Sequence, residues 1–293
     1  MARLTANGLQ LEYETLGDPT ASPLLLIMGL GAQLITWDDA FCQALVDRGF
    51  YVIRYDNRDS GLSEKMEAAG RADVMAAYRG EGTAAYTLDD LADDAVGVLD
   101  ALHIPAAHIV GASMGGFIAQ LVAINHPDRT LSLTSIMSGP GGEDEVAPTP
   151  EAAVVLMRVP GPSREEVIAS GLESRRVLGG VNNPFDEEVE RRKIERAFDR
   201  SYYPDGFGRQ FVAILKAKSR IPALRKLKVP TLVVHGIDDP LVPVENGRLV
   251  AAAVPGAKLL ELDGTGHNIP PQHWARVADA IAETARRASP VSR

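Results

Sequence analysis

The stretch His108-Ile-Val-Gly-Ala-Ser113-Met-Gly-Gly-Phe-Ile-Ala-Gln-Leu-Val-Ala-Ile-Asn125 decides how the rest of the chain is read. His108 to Val110 predicts a strand that runs into Gly111, and Gly115 to Asn125 predicts a helix. Between them stands Gly111-Ala-Ser113-Met-Gly115, a G-x-S-x-G sequence at a strand-to-helix junction, which is the setting of a nucleophile elbow. Such a turn is tight and strained. Glycines at 111 and 115, with Gly116 behind them, leave space where side chains would clash. The turn would lift Ser113 above the carboxyl edge of the sheet, where ligands bind in open α/β folds.

Outward from this junction, strand-like and helix-like segments alternate. Strands are predicted at Leu9 to Thr15, Pro23 to Met28, Tyr51 to Tyr55, Leu131 to Met137, Thr231 to Val234 and Lys258 to Leu262. Helices are predicted over Asp38 to Arg48 (closed by Gly49), Leu88 to Leu102, Asn246 to Val254 and Gln272 to Arg287. The second of these carries an apolar stripe of Leu91, Ala95, Val98, Leu99 and Leu102. This alternation implies a mostly parallel central sheet with helices on both faces.

The segment from Gly139 to Pro222 breaks the pattern. It holds no good strand, opens with Gly139-Pro-Gly-Gly142 and places prolines at 148, 150, 160 and 162. Thr149-Pro150 reads as a cap followed by Pro at the first helical position. Ser163-Arg-Glu-Glu166 fits a capping box. Asn183-Pro184-Phe-Asp186 opens a charged helix to about Arg200, and Gly206 to Lys218 predicts another. The expectation is a core of residues 1–138 and 223–293, interrupted by a helical cap or lid of residues 139–222. Val154, Val155, Met157, Phe207 and Phe211 are its candidates for lining an acyl or aromatic pocket.

A serine hydroxyl needs a base to become a useful nucleophile. Of six histidines, only His267 lies in a late strand-to-helix loop flanked by glycines, Gly264-Thr-Gly-His267-Asn268. It is the candidate base. A third group must hold the other imidazole nitrogen. Asp238 and Asp239 both follow the strand ending at Val234, and Asp239 is favoured by its place in His235-Gly-Ile-Asp-Asp239-Pro-Leu-Val-Pro243. Two backbone donors would serve a developing oxyanion. One is the Met114 N–H, at a helix N-terminus whose dipole favours negative charge. The other is the Leu30 N–H within Gly29-Leu30-Gly31. As a dinucleotide loop that last segment lacks its third glycine, since Leu34 occupies the position.

These pieces resemble the α/β-hydrolase superfamily over essentially the whole chain. The likeness is carried by Gly29-Leu-Gly31, by Tyr55-Asp-Asn-Arg-Asp-Ser-Gly61-Leu-Ser63, by the Ser113 elbow, the Asp239 run and the His267 turn. The order Ser113, Asp239, His267 is the one that resemblance implies. Arg58-Asp59, where most relatives have Arg-Gly, and Ser201-Tyr-Tyr-Pro-Asp-Gly-Phe-Gly-Arg-Gln210 are similar to the esterase/lipase branch that includes aclacinomycin methylesterase. The His-Gly often found before the oxyanion loop is Met28-Gly29 here. Within the family, Asp56 and Arg58 are implied to brace the loop beside the site, with no catalytic role.

Composition narrows the function classes. The 293 residues carry 30 Lys and Arg against 39 Asp and Glu, a net charge of −9, with 45% hydrophobic residues and one cysteine, Cys42. Single cores stop growing at roughly 250–300 residues, so the length suits one large domain or a domain with an insertion. An acidic balance argues against nucleic acid as the main partner. One cysteine excludes an internal disulfide. No apolar run reaches the roughly 20 residues a membrane span needs, and the first eight residues hold no signal-like apolar stretch. A cytoplasmic protein is expected. No metal-ligand motif and no P-loop are present, so neither a metal nor another cofactor is expected. Together with the resemblance, these residues imply a serine hydrolase cleaving small to medium carboxylic esters through an acyl-enzyme. A lactonase, a methylesterase acting on a bulkier metabolite, a C–C bond hydrolase of ring-cleavage products, and a cofactor-free perhydrolase or haloperoxidase are alternatives. A non-catalytic receptor on the same fold is the option from a different class.

Overall fold

The computed structural model describes residues 2–158, 161, 163–180 and 185–288. Eight strands among them form one sheet: β1 (Ala2–Ala6), β2 (Leu9–Leu16), β3 (Ser22–Ile27), β4 (Phe50–Tyr55), β5 (Ala107–Ala112), β6 (Thr130–Ile136), β7 (Thr231–Gly236) and β8 (Lys258–Leu262). Their spatial order is β1-β2-β4-β3-β5-β6-β7-β8. The pairs β1–β2 and β2–β4 are antiparallel and all others parallel. The chain runs from β3 outward to β4, then returns to place β5 on the other side of β3. The carboxyl ends of β3 and β5 therefore flank the point where strand order reverses, the crevice in which open α/β sheets bind ligands.

Successive residues of the buried strands face opposite layers, as the period of two requires. Leu25, Ile27, Ile53 and Ile109 pack with α3 (Leu88–Ala101), α4 (Met114–Asn125) and α10 (Val244–Ala253) on one face. Leu24, Leu26, Val52, Val110 and Val234 pack with α1 (Asp39–Val46) and α11 (Pro271–Ala285) on the other. Leu24 to Ile27 are all fully buried, and burying each such side chain contributes about 1.5–3 kcal/mol. Both faces being covered explains why β3 is a continuous apolar run rather than an alternating one. Met114 to Ala123 of α4 are buried without a break, so this helix exposes no face to solvent over its first ten residues.

Before β5, two elements were not expected. Strand β1 pairs with β2 through a hairpin whose turn is Asn7-Gly8, with φ of 49° and 79°. Asn-Gly between alternating residues is the sequence sign of such a hairpin. The one-turn helix α2 (Val74–Tyr78) is held by Asp73, whose carboxylate accepts the Ala76 N–H, and by packing on α8 (Pro204–Leu215).

Between β6 and β7 lie α5 (Pro150–Met157), α6 (Arg164–Leu178), α7 (Glu187–Arg200), α8 and α9 (Ile221–Leu224). Thr149 caps α5 through the Ala152 N–H, and the Ser163–Glu166 capping box opens α6. Pro160, Pro162, Asn183 and Pro184 lie outside the described residues; α7 opens at Glu187 with Asp186 as its cap. The two ends of the segment meet at a neck. The Arg220 N–H donates to Pro140 O at 2.9 Å, and its guanidinium donates to Gly139 O at 3.1 Å and to Gln120 of α4 at 2.9 Å. Among the described residues no helix is long and apolar enough to cross a membrane.

Candidate active site

Ser113 sits between β5 and α4 with φ 57° and ψ −123°, a backbone conformation that L-residues rarely adopt. The turn tolerates no Cβ on either side. One added to Gly111 would stand 1.9 Å from Gly115 O, and one on Gly115 would stand 2.1 Å from Ile27 O. The conformation is held by the Ser113 N–H, which donates to Ile136 O at 2.9 Å, and by the Gly116 N–H, which donates to Ser113 O at 2.8 Å.

His267 follows β8 in the turn before α11. Its Nε2 lies 2.9 Å from Ser113 Oγ and its Nδ1 lies 2.7 Å from Asp239 Oδ2. The Asp239 side chain is fully buried, and its other oxygen accepts the N–H groups of Leu241 and Val242, both at 2.9 Å. These two bonds fix the orientation of the carboxylate toward the imidazole. Asp238 is half-buried and gives only its backbone N–H, to Thr265 O at 3.0 Å. An imidazole held between a buried carboxylate and a serine hydroxyl can take the hydroxyl proton and return it to a leaving group.

The other described histidines have other partners or places. His235 is buried in β7, donates through Nε2 to Val242 O at 2.7 Å, and burial lowers its pKa. His108 lies between Ser22 Oγ and Ser132 Oγ, and burial pushes its pKa down to about 4. His126 pairs with Asp93 near the surface.

Gly29 stands directly against the elbow, where an added Cβ would come within 3.0 Å of Ser113 Cβ. Leu30 follows it, on the loop that faces Ser113. Met114 is the first residue of α4, so its N–H has no partner within the helix. Asn57 Nδ2 donates to Met28 O at 2.9 Å, and Asp56 accepts the Leu34 N–H at 2.7 Å and the Leu62 N–H at 2.8 Å. Asp56 thus braces this loop. Arg58 instead pairs with Asp94 of α3, both bonds at 2.6 Å.

Sequence reasoning missed how firmly the helical segment grips both loops of the site. The Gly31 N–H donates to Gln210 Oε1 of α8 at 2.8 Å. Phe207, one turn earlier on α8, packs on Gly31 so closely that a Cβ there would be 2.7 Å from its ring. Gln33 Nε2 donates to Ala197 O and Ser201 O, and Arg200 donates to Gln33 Oε1 and Asp56 Oδ2. At the histidine loop, the N–H groups of Gly266 and His267 donate to Gly179 O and Leu178 O at the end of α6. None of these bonds has a local signal, because each joins residues far apart in the chain. Of the side chains expected to line a pocket, Val154 is 61% exposed on α5, whereas Val155 and Phe211 are buried.

Among the described residues, no group of three or more His, Cys, Asp or Glu side chains is placed to hold a metal ion.

The fold, the elbow and this hydrogen-bonded series together match a known class. The profile of the alpha/beta hydrolase fold matches residues 22–273, and the chain belongs to that family. It is 31% identical to rhodomycin D methylesterase DnrP of Streptomyces peucetius, over 98% of both chains. It is 26% identical to 3-oxoadipate enol-lactonase 2 of Acinetobacter baylyi, over 95% of both. Among solved structures it resembles a meta-cleavage product hydrolase from Pseudomonas fluorescens with a TM-score of 0.77, covering 99% of this chain and 98% of that one at 21% identity. This last likeness is one of fold.

Proposed function

We propose that the protein hydrolyses carboxylic esters through a covalent acyl-enzyme. Ser113 Oγ attacks the ester carbonyl carbon while His267 Nε2 takes its proton. Asp239 holds Nδ1 and stabilises the imidazolium. The negative charge that forms on the carbonyl oxygen is met by the Met114 and Leu30 N–H groups. Collapse expels the alkoxide, which receives the proton from His267. A water molecule, deprotonated by the same imidazole, then attacks the acyl carbon and returns Ser113 to its starting state. Residues 139–222 act as a cap on the core of residues 1–138 and 223–293, and close the site from above the sheet edge.

The observation that carries this reading is the unbroken series Ser113–His267–Asp239, at 2.9 and 2.7 Å, on a strained elbow. The methylesterase relative, similar over nearly full length, supports an ester and directs the first trials to methyl esters of bulky acids. The test is a panel of p-nitrophenyl acyl esters of increasing length, aromatic methyl esters and an enol-lactone, run beside a vinylogous diketone. Turnover of the esters with little of the diketone is expected. Faster cleavage of the diketone's C–C bond would overturn the assignment.

A further inference from the structure

We infer that Gln210, on the cap helix α8, is a positioning residue for the oxyanion site, so that the cap completes the catalytic centre as well as covering it. This rests on the ester-hydrolase reading above. Gln210 is fully buried, and each end of its carboxamide is engaged. Oε1 accepts the Gly31 N–H at 2.8 Å, and Nε2 donates to Arg58 O at 2.7 Å and Ser60 Oγ at 3.2 Å. It therefore ties the loop after β3 to the loop after β4.

Two consequences follow from this geometry. Gly31 holds φ 65° and its amide is committed to Gln210, so the adjacent Leu30 N–H is the donor this loop has to offer. That donor lies in the Gly29–Leu30 peptide, which joins at Leu30 Cα the Leu30–Gly31 peptide held by Gln210, so fixing the second restrains the direction of the first; an oxyanion donor must stand about 2.7–3.1 Å from the developing charge to be effective. The position of Gln210 itself is tightly set. A Cβ on Gly206, one turn earlier, would meet Asp59 O at 2.2 Å, and the neighbouring Arg209 is locked to Asp59 by two bonds of 2.8 Å. Phe207 closes the other side of Gly31. A loop clasped in this way arrives at the transition state already oriented, and that selectively lowers the barrier without tightening substrate binding.

The experiment compares wild type with Gln210→Met, similar in length but without the carboxamide. Each is assayed for kcat and KM on p-nitrophenyl acetate and for inhibition by an aryl trifluoromethyl ketone. Ser113 Oγ adds to that carbonyl as its proton passes to His267, leaving an oxyanion in the site. Gln210→Met is expected to lose about tenfold or more in kcat, since removing a donor outright costs about 10²–10³. KM should stay within about twofold, and the ketone should weaken in parallel with kcat. If Gln210→Met does not fold, Ser60→Ala, which removes one acceptor of Nε2, should give a smaller loss confined to kcat and ketone affinity. Unchanged kcat in the folded variants, or a loss falling on KM alone, would overturn the inference. Labelling of wild-type Ser113 by a fluorophosphonate separates the two claims: wild type that is neither labelled nor active removes the ester-hydrolase reading itself.

Discussion

Asp59 and Arg209, 150 residues apart in sequence, form a buried bidentate ion pair with bonds of 2.8 Å between Nε and Oδ2 and between Nη2 and Oδ1. Their side chains are 0% and 1% exposed. Asp59 accepts two further bonds, from Tyr86 OH and the Met66 N–H, and these contacts with the Arg209 guanidinium hold its carboxyl below the usual range despite burial. Asp59 belongs to one of the two sequence details that set this chain apart within its superfamily, and Arg209 belongs to the other. The structure makes them a single contact between the loop after β4 and helix α8.

Removing one partner of such a pair leaves a buried charge without compensation, at a cost of about 3–5 kcal/mol. Asn tolerates the positive φ of 68° at position 59. Asp59→Asn is therefore expected to destabilise by about that amount through the stranded Arg209, as read by urea unfolding. A midpoint indistinguishable from wild type would show that the pair does not hold α8.

The strain at the elbow gives a second expectation. Ser113→Ala should lose about 10⁴-fold or more in kcat. Ser113→Gly should be equally inactive, yet more stable than Ser113→Ala by about 1 kcal/mol, because glycine adopts φ 57° without penalty. Thermal unfolding of the two inactive variants compares the backbone cost alone. Equal melting temperatures would contradict it.

The two neighbouring aspartates should behave very differently. Asp239→Asn is expected to lower kcat by about 10⁴-fold, because an amide at this position favours the wrong imidazole tautomer. Asp238→Asn should stay near wild-type activity, since that side chain does not reach His267. A larger loss at Asp238 would reverse the assignment.

His108 bears on acid stability. Burial lowers its pKa from 6.5 to about 4, so the unfolded chain binds a proton there that the folded chain refuses. Stability from this group is complete above about pH 6.5 and falls as pH drops through the window to 4. At roughly 1.4 kcal/mol per unit the contribution is about 3 kcal/mol. His108→Asn should lose less stability than wild type between pH 7 and pH 4.5, whatever its stability at neutral pH. Parallel pH profiles of the melting temperature would refute this.

The sequence by itself determined the frame and the chemistry-bearing positions that local rules govern. G-x-S-x-G between a strand and a helix reads as a sharp elbow, since the Cβ clash at Gly111 is with Gly115 O, four residues on; the clash at Gly115 is with Ile27 O of β3 and belongs to the tertiary structure. The apolar runs Leu24 to Met28 and Thr231 to Val234 could only be buried strands, and the capping box at Ser163 marked a helix start through bonds three residues long. The missed hairpin at Asn7-Gly8 was equally local and could have been read. Tertiary structure alone decided which aspartate reaches His267. Asp238 and Asp239 differ by one position in a turn, and only the fold's closure shows which side chain points inward. It alone decided that Gln210 and Phe207 of α8 and Arg200 of α7 would clasp the loop after β3, and that the end of α6 would hold the His267 loop. Those contacts have sequence separations near 90 to 180, where chain periodicity carries no information. They form because packing brings unsatisfied backbone N–H groups and buried side chains together, and each must then find a partner.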